Sequence, residues 1–282
     1  MKKRCKVIGL AAFAAYVVFR LLVCVKYTIL TGSMMPTIQI EESVYVLKPL
    51  YGWRLYCFWS KSPDSFHRIH GIRDIVPGDI IVFNLPYIGY NIETIAFNPE
   101  LEYCKRVLGT PGDRIGAVDG HCWNDRFLKP VGVVEEQEKL RWMFDDFFRM
   151  TDSYEVIPYT DSGWNIKNWG PLIVPAKGLT MALDGFTREL YRKVIEYETG
   201  TPLDESLTEY TFQGNYYFAV GDNAMSSFDS RYWGFIPEDF IMALWAERDS
   251  DSLFAVVGQD ITYNLADVVV VLVVPGIKRL LQ

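Results

Sequence analysis

The sequence predicts a mainly β protein: an antiparallel β-sheet core, interrupted by a mixed α/β insertion and preceded by one N-terminal transmembrane helix. Three observations predict it. A basic cluster and an apolar run open the chain, short apolar stretches bounded by Gly and Pro recur after it, and the middle of the chain changes to a helical period. With 282 residues, 50% of them hydrophobic, there is enough apolar material for a real core, which excludes a disordered chain. A net charge of −7 provides no clustered basic face for phosphate, so nucleic acid is set aside as a partner.

Lys2, Lys3, Arg4 and Lys6 crowd the start, and an apolar run from Val7 to Val25 follows. A spanning helix needs about 20 mostly apolar residues. The expected layout is a cytoplasmic tail at 1–6, a span at 7–26, and everything beyond it outside, because the basic cluster stays in the cytoplasm. Arg20 lies near the outer end, where its side chain reaches the headgroups. The rival reading, a cleaved secretory signal, requires a small-x-small site after the apolar run. The run ends Val23-Cys24-Val25-Lys26-Tyr27, which has none.

Beyond the span the pattern alternates as strands do. Ser43–Leu47, Asp79–Phe83 after the turn Val76-Pro77-Gly78, and Leu101–Leu108 before Thr110-Pro111-Gly112-Asp113 are expected strands. From 134 to 151, Leu140, Met143, Phe144 and Phe147 recur at helical spacing among acidic residues, and Leu190 to Ile195 suggest a second helix stopped by Gly200. Strand signals return at Tyr210–Phe212, Tyr216–Val220 and Phe240–Trp245. The resulting division is a β-rich core of 27–115 and 215–282 around an α/β cap at 116–214. Val268–Val274 is too short to span a bilayer and is expected as a buried strand or an interfacial contact.

Three segments carry candidate chemistry. Thr31-Gly32-Ser33-Met34-Met35-Pro36-Thr37 places a serine just beyond the expected membrane surface, although taken alone it reads equally as a turn. Lys105 lies in the apolar strand Tyr103–Leu108; it is either a solvent-facing edge lysine or a desolvated one whose lowered pKa makes it a base. Gly221 to Pro237 concentrates Gly, Asp, Asn, Ser and Arg between apolar strands, a hydrogen-bonded loop in which Asp229 and Arg231 pair under either reading.

Taken together, these segments resemble the type I signal peptidase family, whose motifs run Ser-Gly-Ser-Met-x-Pro-Thr, Lys-Arg-x-x-Gly-x-Pro-Gly-Asp, and Gly-Asn-Asn or Gly-Asp-Asn through Asp-Ser-Arg-x-x-Gly. Gly78-Asp79-Ile80-Ile81-Val82-Phe83 is similar to a fourth family segment between the first two. The resemblance implies a catalytic core of signal-peptidase type, a serine endopeptidase with no cofactor and no metal. It also implies a bacterial inner-membrane location, and as partners the lipid bilayer and the signal peptides of exported preproteins, cut after Ala-x-Ala. Residue by residue it implies Ser33 as nucleophile, Lys105 as general base, and the Thr31 hydroxyl with the Ser33 N–H as oxyanion hole. Ser227, Asp229 and Arg231 would support the lysine, and Ile29, Met34 and Cys104 would line the substrate pockets, with the substrate added as a β-strand. Two departures stand out: Thr31 replaces the family's serine, and Ala224-Met225-Ser226 replaces Arg-Asp-Asn.

The alternatives are a dedicated conjugation-type signal peptidase and an inactive, membrane-tethered peptide-binding homologue. A Ser-His version would need histidine at position 105, and His67, His70 and His121 all lie outside the matching motif. Five cysteines without metal-ligand spacing leave Cys57, Cys104 and Cys122 beyond the span, so one disulfide among them stays open, its pairing unassigned.

Overall fold

The structure, a computed structural model, describes residues 24–56, 66–89, 91–142 and 163–245, with the single helical positions Gly9 and Phe13. The expected span is otherwise outside the described residues up to position 23, as are the rest of the first predicted helix beyond Trp142, the chain beyond 245 with its apolar stretch, and Cys57. Among the described residues no helix is long and apolar enough to cross a membrane.

The main strands are β1 (Cys24–Thr28), β2 (Ser43–Leu47), β3 (Gly52–Tyr56), β4 (Phe66–His70), β5 (Ile80–Asn84), β6 (Glu102–Gly109), β7 (Arg114–Val118) and β8 (His121–Asn124). They continue as β9 (Trp169–Ile173), β10 (Thr180–Ala182), β11 (Glu209–Thr211), β12 (Tyr216–Val220), β13 (Ile236–Pro237) and β14 (Ile241–Trp245). Seven of them form one antiparallel sheet in the order β1-β2-β14-β5-β6-β12-β13. Cys24, Val25 and Lys26 correct the outer boundary of the expected span. They are extended and pair with Leu47, Val46 and Tyr45, because apolar residues beside β2 find backbone partners there and alternate sides as a half-buried strand does.

The centre of the sheet is covered on both faces. β5 and β12 are buried at every position, and in β5 the period of two separates the contacts. Ile80 and Val82 of β5 face small clusters with Val44 and Val46, whereas Ile81 and Phe83 face the large core. That core continues into the elements between 114 and 211. There β8, β7 and β9 form a three-stranded sheet, β10 and β11 a hairpin, and α3 (Gly185–Thr199) a helix whose Leu190, Tyr191, Val194 and Ile195 point inward. Two shorter helices, α1 (Lys48–Tyr51) and α2 (Val134–Arg141), precede it.

Local chemistry explains the ends. Gly200, at φ 68°, stops α3 as expected, and its start lies at Asp184, whose carboxylate accepts from the Thr187 N–H at 2.7 Å. Gly112 takes φ 84° in the turn after β6, where Asp113 accepts from both the N–H and the hydroxyl of Thr110 at 2.8 Å.

Aromatic packing joins the two sheets: Phe218 of β12 lies 5.3 Å from the Trp169 ring of β9 and 6.1 Å from Phe235, itself stacked on Tyr191 of α3. Phe218 is fully buried, so Phe218→Ala removes a ring shared by both layers and is expected to cost about 3–5 kcal/mol in urea unfolding. A loss below about 1 kcal/mol would mean that the layers are held by other contacts.

Candidate active site

A short 3-10 helix, Gly32–Met34, follows the β1 edge and carries Ser33. Its buried Met34 plugs into the small cluster with Ile38, Val44 and Ile80, which fixes the loop against the sheet. Across a cleft of about 560 Å³ lies the first half of β6, with Val82 between the two sides. Lys105 is held in β6 opposite Ile81 of β5, and only 3% of it is exposed. Its Nζ lies 2.5 Å from Ser33 Oγ. The serine and the lysine, 72 positions apart in the chain, thus meet at one point.

Burial is the main influence on Lys105 and pushes its pKa down, against the opposing pull of Asp229. Asp229 and Asp222 sit nearby, but each is already matched by an arginine. Arg231 grips Asp229 with two bonds of 2.8 Å, and Arg106 grips Asp222 with two of 2.7 Å. Each pair is close to neutral seen from outside, which leaves desolvation in command of the amine. Burial alone would raise Asp229, but the Arg231 charge and the Gly221 N–H at 2.9 Å hold it below the usual carboxylate range. Arg231 in turn stays charged although buried, because Asp229 outweighs its desolvation.

Thr31 precedes the 3-10 helix in extended conformation, and its hydroxyl makes no capping bond. Its Oγ1 stands 3.5 Å from Ser33 Oγ. Ile29, Met34 and Cys104 come together in one wall of the cleft, packed in the same cluster. Burial pushes the Cys104 thiol up to about 12, so it is a packing group and not a competing nucleophile. Cys104 and Cys122 are both free thiols. Ser227 is buried over Gly221, yet the bond to Lys105 implied by the resemblance is not formed. Among the described residues no group of three or more His, Cys, Asp or Glu is placed to hold a metal.

Three participants were not picked out from the sequence: Thr37, Arg106 and Asp222. Thr37 Oγ1 donates to Asp222 Oδ2 at 2.5 Å while Arg106 holds the same carboxylate. One buried aspartate therefore ties the serine loop to the lysine strand. The available signal was Arg106 beside Lys105 in an apolar strand, since two adjacent cations there face opposite sides and each needs a partner. Gly221 is required by close approach: a Cβ there would fall 2.1 Å from Ser227 Oγ and 2.5 Å from the Ser33 carbonyl oxygen.

Comparison with known proteins points the same way. Signal peptidase I of Buchnera aphidicola subsp. Acyrthosiphon pisum is 30% identical over 261 residues, 85% of this chain and 73% of its own. The enzyme of that name from Buchnera aphidicola subsp. Schizaphis graminum is 26% identical over 77% of this chain, and that from Pseudomonas aeruginosa 27% over 76%. The chain spans 64% and 58% of the length of these two relatives. A solved signal peptidase I of Enterococcus faecalis overlaps 62% of this chain and all of its own at 17% identity and a TM-score of 0.30, a likeness too slight to place the fold. The family model for signal peptidase, peptidase S26, matches residues 1–246, and with that match over most of its length this chain belongs to the S26 signal peptidases.

Proposed function

We propose that the chain is a signal peptidase I, a membrane-bound endopeptidase that removes signal peptides from exported preproteins after small residues of the Ala-x-Ala kind. The observation that carries this reading is the 2.5 Å approach of a buried lysine amine to the Ser33 hydroxyl. In water that amine would hold its proton; desolvated, it is a base able to take one.

The geometry supports the following steps. Ser33 Oγ attacks the scissile carbonyl carbon as its proton passes to Lys105 Nζ, and the negative charge collects on the former carbonyl oxygen. The Thr31 hydroxyl and the Ser33 N–H are the donors for that oxyanion. Collapse of the tetrahedral species breaks the C–N bond, with the Lys105 ammonium protonating the departing amine. Water, deprotonated by the same lysine, then releases the acyl group from Ser33. Ser227 would accept a bond from the ammonium once it forms, and the Asp229–Arg231 pair keeps the loop that holds Ser227 in place.

The cleft suits an extended substrate. Among the described residues β12 pairs with β6 only at Arg106, Val107 and Gly109, and no strand pairs with the second edge of Glu102–Lys105. An incoming peptide can add as a strand there, with Ile29, Met34 and Cys104 forming shallow apolar pockets that admit small side chains. The basic start and the apolar run after it favour an N-terminus inside and a catalytic region outside the cytoplasmic membrane of a bacterium.

Three outcomes test this reading. Full-length protein in bilayers should cleave an Ala-x-Ala preprotein, and Ser33→Ala or Lys105→Arg should slow cleavage at least about 1000-fold while binding persists; substantial cleavage by Lys105→Arg would assign the base elsewhere. Thr31→Ser should stay active, whereas Thr31→Val should lose about 2.7–4 kcal/mol of transition-state stabilisation in kcat. Equal rates for the two would remove Thr31 from the oxyanion hole.

The third outcome concerns the protonation state. The folded chain takes up the Lys105 proton only below its depressed pKa, while the unfolded chain takes it up at the ordinary lysine value. Between the two values the unfolded state binds more protons, so wild-type stability rises with pH. Lys105→Met should therefore melt above the wild type, by a margin that widens as pH falls through that window. A margin independent of pH would indicate an ordinary lysine.

A further inference from the structure

We infer that Asn223 is a positioning residue for the oxyanion hole: its side chain sets the direction in which the Ser33 N–H points. The inference rests on the reading of Ser33 as nucleophile. Asn223 Nδ2 donates to the Gly32 carbonyl at 3.0 Å, and the Asn223 N–H donates to the Ser33 carbonyl at 3.0 Å. Both carbonyls that flank the Ser33 Cα are thus tied to a single residue from the segment after β12.

The consequence follows from peptide geometry. The Gly32–Ser33 bond is trans, and in a planar trans unit the C=O and N–H point in opposite directions. Anchoring the Gly32 oxygen on Asn223 therefore aims the Ser33 N–H away from Asn223. That N–H is in the first turn of a short 3-10 helix, where donors have no partner within the helix, so it is available to a ligand. The restraint matters because the residue on the other side of the plane is Gly32, whose backbone is the freest of all to swing. The Met35 N–H also reaches the Gly32 oxygen, at 3.1 Å, but it belongs to the same loop and moves with it. Asn223 belongs to the segment whose neighbour Asp222 is locked to Arg106 of β6, so it references the donor to the strand that carries Lys105.

Asn223 does not touch the reacting atoms, so its loss should misaim a donor and leave both the base and the substrate strand in place. The test compares full-length wild type, Asn223→Ala and Asn223→Asp in bilayers with an Ala-x-Ala preprotein. Asn223→Asp keeps the shape and the backbone bond to Ser33 but turns the side-chain donor into a carboxylate facing a carbonyl. Both variants should lose about tenfold to 100-fold in kcat with KM changed by less than about threefold, and Asn223→Ala, which adds no charge, should keep the acidic limb of kcat/KM at the wild-type pH. A wild-type kcat, a loss confined to KM, a displaced acidic limb in Asn223→Ala, or failure of both variants to fold would overturn the inference. A Ser33→Ala preparation measured in parallel separates the two levels. If Ser33→Ala is inactive and the Asn223 variants are normal, only the positioning role falls; if Ser33→Ala cleaves, the nucleophile assignment falls first.

Discussion

Desolvation of one amine is the constraint around which the rest of this site is arranged. An ammonium loses its hydration when Lys105 is buried in β6, and that loss shifts the balance toward the neutral form. A buried lysine next to unpaired carboxylates would simply stay charged, and both neighbouring aspartates are accordingly saturated by arginines. The pairs Arg106–Asp222 and Arg231–Asp229 hold the strands and the loop together, and Arg231 also offsets part of the pull that Asp229 exerts on the Lys105 proton. Stability and reactivity are here two effects of the same contacts.

The segment from Gly221 to Arg231 connects everything else. Gly221 lets the chain pass close beneath the serine loop, Asp222 takes Thr37 from that loop and Arg106 from β6, and Asn223 holds the backbone on both sides of Ser33. Asp229 then caps the four-residue helix Ser230–Trp233 with its carboxylate and bonds back to the Gly221 N–H. A nucleophile on an exposed loop and a base on a sheet strand would otherwise drift relative to each other by more than a proton transfer tolerates. Hydrogen bonds from a third segment to both suppress that drift.

Much of the fold could be read in advance wherever the local pattern and the tertiary environment agreed. β2 and β12 have the predicted bounds, and Gly200 ends α3 as its position suggested. β3 and β4 were not anticipated: the hairpin Gly52–Tyr56 with Phe66–His70 mixes Trp, Arg and His in a way that no single periodicity reports. The first residues of β1 were read as membrane helix, because hydropathy alone does not distinguish an apolar strand beside β2 from the end of a span. Ser33 and Lys105 were legible through long motifs, whereas Arg106, Asp222, Thr37 and Asn223 were not singled out, since each is a common polar residue until its partner is known.

The sequence by itself determined the family resemblance, which the serine, lysine and Gly221–Pro237 motifs carry together and which implies a Ser-Lys pair, and the run of apolar and turn residues sets the strands on which those motifs ride. Only the tertiary structure decided that the amine is dry, that it meets the hydroxyl at 2.5 Å, and that both nearby carboxylates are already taken. The reason is physical. Strand propensity and turns depend on neighbours a few positions away, but the protonation of a lysine depends on everything within several ångströms, and here those groups arrive from β5, the serine loop and a segment more than a hundred positions downstream.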